Sequence, residues 1–149
     1  MSISRKPSQL ELIRPNSPSE WEAFHRIRKQ VLFDARGTGN TYDPTHPDDI
    51  RPGNHPFLLT ENGEFVAVVR IDIVGSQARL RRMAVTERRQ RNGLGKSMIE
   101  LILKFCREQG VREIRSNVAP DAVGFYLKCG FSKLEDQASP GSVQMRLEF

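Results

Sequence analysis

Residues 90–97 read Gln90-Arg91-Asn92-Gly93-Leu94-Gly95-Lys96-Ser97. Glycines at alternate positions let main-chain N–H groups turn toward one point without Cβ obstruction, and an apolar helix starting here adds the partial positive charge of its N-terminus. Arg88, Arg89, Arg91 and Lys96 crowd the same turn. The chemistry this arrangement offers is the holding of an anion, a phosphate or a diphosphate. Two familiar cradles fail residue by residue. A P-loop needs glycine five positions before the Gly95 of Gly95-Lys96-Ser97, and Gln90 stands there. The dinucleotide fingerprint G-x-G-x-x-G finds Met98 where its third glycine belongs.

The elements around the turn follow from periodicity. Residues 10–14 alternate weakly as a first edge strand, and Ser19 with Glu22 three residues on has the form of a capping box. Trp21, Phe24, Ile27, Val31 and Leu32 then recur at helical spacing. From 34 to 56, glycines, prolines, acids and histidines interleave, the composition of a substrate-facing lid. Residues 57–60 and 64–74 read as strands joined by Asn62-Gly63, and a second hairpin leads through Gly75-Ser76 into 78–85. In that last strand Leu80 and Arg82 share one parity while Met83 and Val85 lie on the other. Either a β-bulge or a strand buried on both faces produces this slip. Leu94, Met98, Leu101, Ile102 and Phe105 form a helical stripe closed by Gly110. A strand (111–118), a short helix (122–129) opened by Pro120 and Asp121, and strands at 132–135 and 143–147 complete the order. The predicted fold is a single α/β domain over residues 10–149 with a mixed sheet and helices on both faces, preceded by a polar arm, residues 1–9.

The length, 149 residues, fits one domain, and 38% hydrophobic with 28% charged residues is ordinary globular usage. No apolar run reaches the ~20 residues of a membrane span, and residues 1–9 lack the apolar stretch of a secretory signal. Cys106 and Cys129 are too few for a disulfide scaffold, so a reducing cytoplasm is the expected compartment. The formal net charge of +5 suits an anionic partner without choosing one.

Gln90-x-x-Gly93-x-Gly95, after a strand ending Met83-Ala84-Val85 and before an apolar helix, resembles the coenzyme A-binding segment of the GNAT superfamily of N-acetyltransferases. Phe125-Tyr126-Leu127-Lys128-Cys129-Gly130-Phe131 resembles that family's Phe-Tyr-x-x-x-Gly-Phe segment, and the likeness spans roughly residues 57–131. Two positions depart from the family pattern. Ala119 stands where asparagine is frequent, leaving Asp121 to cap, and Gln90 stands where arginine is common.

The resemblance implies a mostly antiparallel sheet splayed at a bulged strand, with direct acetyl transfer from acetyl-CoA to an amine. It places the carrier's diphosphate on the main chain of Arg91, Asn92, Gly93, Leu94, Gly95 and Lys96, and its pantetheine arm along Met83, Ala84 and Val85, with Asn117 opposite. An N–H near Met83 is then the donor for a developing oxyanion. Tyr126, with an ordinary pKa of about 10, is the candidate general acid, or else a core tyrosine beneath the carrier. Tyr42, in the lid, has no comparable setting.

The expected partner is a small-molecule or peptide amine, with no metal, nucleic acid or membrane, and homodimerisation is left open. Asp72, Asp48, Asp49, His46 and His55 are the candidate bases, each also readable as a surface or turn group. Arg70, Arg79, Arg81 and Arg82 either draw an acidic acceptor or keep exposed strand faces soluble. Alternatives are a carrier-binding sensor without turnover and a basic nucleic-acid module built on Arg88, Arg89 and Arg91. The second is disfavoured by 7% aromatics and the lack of an RNP-like stretch.

Overall fold

A computed structural model of the chain describes residues 9–34, 37, 39, 42–90, 93–134 and 141–149. Seven strands form one sheet: β1 (Leu10–Ile13), β2 (Asn54–Glu61), β3 (Glu64–Val74), β4 (Gln77–Val85), β5 (Glu113–Val118), β6 (Ser132–Lys133) and β7 (Val143–Glu148). Their spatial order is β1-β2-β3-β4-β5-β7-β6, with β4 and β5 parallel and all other neighbours antiparallel. The helices are α1 (Pro18–Arg28), α2 (Leu94–Glu108) and α3 (Val123–Lys128).

Helix α1 starts two residues earlier than the Ser19/Glu22 pattern predicts. Ser17 Oγ accepts from the Glu20 amide at 3.2 Å, and Glu20 Oε1 accepts from the Ser17 amide at 2.9 Å. Pro18 decides between the two serines, because its fixed φ suits the first helical position. Past Arg28 the backbone widens into a π-helical turn, Lys29–Phe33, where the periodicity predicts unbroken α-helix.

Strand alternation divides the core. Leu58, Val68 and Ala84 face α1 and pack with Ala23, Phe24 and Ile27. Leu59, Ala67, Val69, Ile71 and Leu80 face α2 and pack with Met98, Ile99 and Ile102. Beyond the end of α1 its apolar layer gives way to an ionic one. The Arg28 Nη1 donates to both Asp49 oxygens at 2.9 and 3.0 Å, and Arg70 reaches Asp49 at 3.2 Å and Asp72 at 2.8 Å. Asp49 ends a 3-10 turn, Pro47–Asp49, as a turn residue, but it is buried, which corrects its reading as a surface group, and Arg70 is buried rather than part of an exposed basic face.

The phase slip in β4 is a bulge. Val68 pairs with Ala84 and Arg70 with Arg81, so Val69 stands opposite both Arg82 and Met83. Arg82 takes φ 54°, a conformation that residues with a Cβ seldom adopt. The parallel β4–β5 ladder runs only from Gln77↔Glu113 to Leu80↔Ser116, and beyond Leu80 the two strands have no register.

Cys106 lies in the α2 layer with no exposed surface. Burial pushes its thiol from the ordinary 9.0 up to about 11. A raised folded-state pKa keeps the neutral thiol, so its contribution to stability is present below about pH 9 and is lost as pH rises toward 11. Alkylation under native conditions is therefore expected to label the half-buried Cys129 and spare Cys106 until the chain unfolds. Mass spectrometry of the labelled peptides reads this directly.

Candidate active site

The turn between β4 and α2 is built from backbone, with Gln90 as its brace. The Gln90 Nε2 donates to the Val85 carbonyl at 2.9 Å and folds the turn back onto the end of β4. Gly93 is the N-cap of α2 at φ 76°, a left-handed position that suits glycine, and no side chain caps the helix. The first-turn amides of Leu94, Gly95 and Lys96 therefore have no partner within the helix. A Cβ on Gly95 would come within 3.0 Å of Phe125 Cζ, so this glycine also lets α2 and α3 close together. Arg91 and Asn92 lie outside the described residues.

A cleft of about 530 Å³ opens in front of the turn, lined by Met83, Val85, Gly93, Gly95, Lys96 and Phe125, with Lys128 and Cys129 at its rim. No acidic residue lines it among the described residues. Arg88 and Arg89 contribute less charge than their place in the sequence suggests, because they pair with Glu64 and Glu61. Lys96 and Lys128 make no ion pair among the described residues and are the free cations here. Leu94 and Ala84 turn their side chains into the two core layers.

A second cleft, about 560 Å³, fills the gap where β4 and β5 separate. Met83 lines both clefts. Opposite it stand Ser116, Asn117 and Tyr126, with Leu80, Arg82 and the π-turn residue Phe33 around them. Tyr126 is buried between the rings of Phe125 and Phe131, both edge-on, at centroid distances of 5.4 and 5.2 Å. Burial raises its pKa above the ordinary 10, and a hydrogen bond with Ser116 opposes that rise without reversing it. The phenol therefore keeps its proton at neutral pH. Asp121 does not serve as the predicted cap: the chain enters α3 through a 3-10 turn, Pro120–Ala122, and neither helical start has a side-chain cap.

A splayed parallel strand pair, a bulge at its mouth and a glycine-braced helix start form one connected site. Residues 21–131 match the Acetyltransferase (GNAT) family. The chain belongs to this family.

As a GNAT acetyltransferase it is similar to a Bacillus subtilis protein named as a candidate acetyltransferase, with 24% identity over 121 residues covering 81% of this chain and 82% of that one. Among solved structures, Escherichia coli ElaA superposes with a TM-score of 0.80 at 19% identity, over 95% of this chain and 100% of its own. The PaiA N-acetyltransferase of Thermoplasma acidophilum, solved with coenzyme A, gives 0.76 at 15% identity, over 95% and 99%. Those two likenesses concern the fold.

The GNAT fold also gathers groups that sequence reasoning missed. Ser116 was visible as a polar residue on the inward parity of Ile114 and Val118. Tyr42, read as lacking a setting comparable to that of Tyr126, bonds His25 Nδ1 through its hydroxyl and packs edge-on to Phe33 at 4.9 Å. Burial, with the charge of Arg28, lowers the pKa of His25 and leaves it neutral at pH 7. The five base candidates are engaged elsewhere, Asp48 with Arg51 at 3.0 Å. Asp49 and Asp72 are held by arginines, His46 Nδ1 accepts from the Asp48 amide at 3.2 Å, and His55 Nδ1 pairs with Arg14 at 3.0 Å.

Proposed function

We propose that the chain transfers the acetyl group of acetyl-CoA to a primary amine by direct attack. The observation that carries this is the meeting of the two clefts at Met83. One offers two lysines with no ion pair among the described residues and the first-turn amides of α2, and the other offers a protonated phenol. The diphosphate sits on the amides of Gly93 to Lys96 and of Arg91 and Asn92, with Lys96 and Lys128 balancing its charge and Gln90 holding the turn in shape. The pantetheine arm lies along the unladdered edge of β4 from Met83 through Ala84 to Val85, and Asn117 meets it from β5. Acetyl-CoA supplies the activated thioester. The amine attacks as its free base. As the carbon–sulfur bond breaks, Tyr126 donates its proton to the departing sulfur, the proton shed by the new amide nitrogen returns to the phenolate, and Ser116 stands beside the phenol. The main-chain N–H near Met83, released from the β3 register by the bulge, is the donor for the developing oxyanion. Two unpaired cysteines are in keeping with a reducing cytoplasm.

Titration calorimetry with acetyl-CoA tests the reading, and absence of binding overturns it. Gly95→Val is expected to weaken acetyl-CoA binding by about a hundredfold or more, because the branched side chain drives into Phe125 and reshapes the cleft floor. Gly93→Val strains the φ 76° cap and is expected to act in the same direction. Circular dichroism of both variants checks that α2 survives.

A further inference from the structure

Arg82 is the sole charged side chain lining the inter-strand cleft among the described residues. It stands on the bulge in the left-handed backbone region, so the surroundings hold it where an ordinary strand residue would not be. It also borders a polar cavity of about 140 Å³ beside Arg28 and Tyr42, and an open groove of about 550 Å³ beside Arg79 and Arg81. Three cavities thus share Arg82 in their walls.

Of the carboxylates near that point, Asp43 accepts from the Thr45 amide and hydroxyl at 2.9 and 2.7 Å, and the others are paired with arginines. Asp49 is held by Arg28 and Arg70, Asp72 by Arg70 with Arg81 at 3.6 Å, and Asp48 by Arg51 at 3.0 Å. Arg82 makes no ion pair and no hydrogen bond among the described residues. Its guanidinium rests over the Phe33 ring at 5.0 Å, and its donors have no acceptor among the described residues. Arg28 is buried and keeps Nε and Nη2 without an acceptor among the described residues, on the wall of the adjoining cavity. Burial, followed by the charges of Arg28 and Arg70, presses the pKa of Arg82 down, with Asp49 and Tyr42 opposing.

We propose that the acceptor amine carries a carboxylate, and that Arg82 determines specificity by binding that carboxylate beside the reacting centre. The inference deepens the acetyl-transfer reading and rests on it. A planar guanidinium with free donors takes a carboxylate through two parallel hydrogen bonds, which orients the attached amine as well as attracting it. A polyamine meets the opposite situation, since a second ammonium entering the cleft finds Arg82 and, among the described residues, no acidic side chain. The carboxylate comes either from a free amino acid or from an acidic side chain next to a peptide N-terminus.

The test measures thiol release at fixed acetyl-CoA with matched acceptors. These are free amino acids and their α-amides, amidated pentapeptides with Asp or Glu against Asn or Gln at the second and third positions, and spermidine. In at least one pair the acid is expected to exceed its amide in kcat/KM by roughly tenfold to a hundredfold, with spermidine below both. The pair that shows the preference identifies the source of the carboxylate. Arg82→Gln is expected to bring the acid-to-amide ratio close to one, and Arg82→Lys to restore part of it. A ratio near one in the unaltered chain, a preference for spermidine, no turnover of any carboxylated acceptor, or a ratio preserved in Arg82→Gln overturns the proposal. Should Arg82→Gln fail to fold, the ratio in the unaltered chain and in Arg82→Lys decides. Calorimetry run alongside separates two failures. Lost acetyl-CoA binding condemns the acetyl-transfer reading, whereas intact binding without carboxylate preference condemns this inference alone.

Discussion

Tyr126→Phe is expected to lower kcat by roughly a hundredfold or more while acetyl-CoA affinity stays within about a factor of two. The substitution keeps the ring between Phe125 and Phe131 and removes only the hydroxyl, so the packing that shapes the cleft survives. The lost group is the proton source for a thiolate leaving group, held protonated by burial and positioned by Ser116. Steady-state thiol release gives kcat, and calorimetry gives affinity. Equal losses in both would assign Tyr126 to packing beneath the carrier. Ser116→Ala offers an intermediate case, in which the donor remains and its orientation is relaxed.

The largest expected effect on stability lies outside the chemistry. Asp49→Ala strands two buried guanidinium groups, those of Arg28 and Arg70, which have 4% and 9% side-chain exposure. Removing one partner of a buried ionic cluster typically costs roughly 3–5 kcal/mol, because the remaining charge is neither solvated nor paired. For a chain of this size that loss lowers the melting temperature on the order of 10 °C and takes a large share of the net stability. Arg70 retains Asp72, so most of the damage falls on Arg28, whose Nε and Nη2 have no partner among the described residues. Combining Asp49→Ala with Arg28→Met is therefore expected to recover part of the loss, since an apolar chain of similar length replaces the stranded charge. Denaturant melts of the two variants supply the comparison. A loss below about 1 kcal/mol for Asp49→Ala would show that water screens the pair as it screens a surface ion pair.

Local signals in the chain are short-range, and they transferred well to the structure. Asn62-Gly63 turns a hairpin with both residues at positive φ, and the Leu80/Met83 change of parity is a bulge opposite Val69. Gly93 and Gly95 begin a helix at the mouth of a cleft, and Tyr126 faces the neighbouring one. Pairings over distance were not legible. Arg88 and Arg89 read as free cations because Glu64 and Glu61, which neutralise them, belong to a different hairpin. Asp49 sits among prolines, acids and histidines, a composition that reads as solvated loop. Its burial depends on Arg28 and Arg70, each 21 positions away. Ser17 and Ser19 each have a glutamate three residues on, and the proline between them carries the deciding information.

The short β4–β5 ladder has a mechanical consequence. Four residue pairs join one half of the sheet to the other, against six between β5 and β7. The flanking core layers hold the halves together at the closed end, whereas the open end lacks main-chain bonds to resist local breathing. A ligand lying in that gap acts as stitching and ties both banks of the seam at once. Amide hydrogen exchange should accordingly slow on both β4 and β5 when the carrier is loaded, so that occupancy is felt as stiffness well away from the reacting atoms.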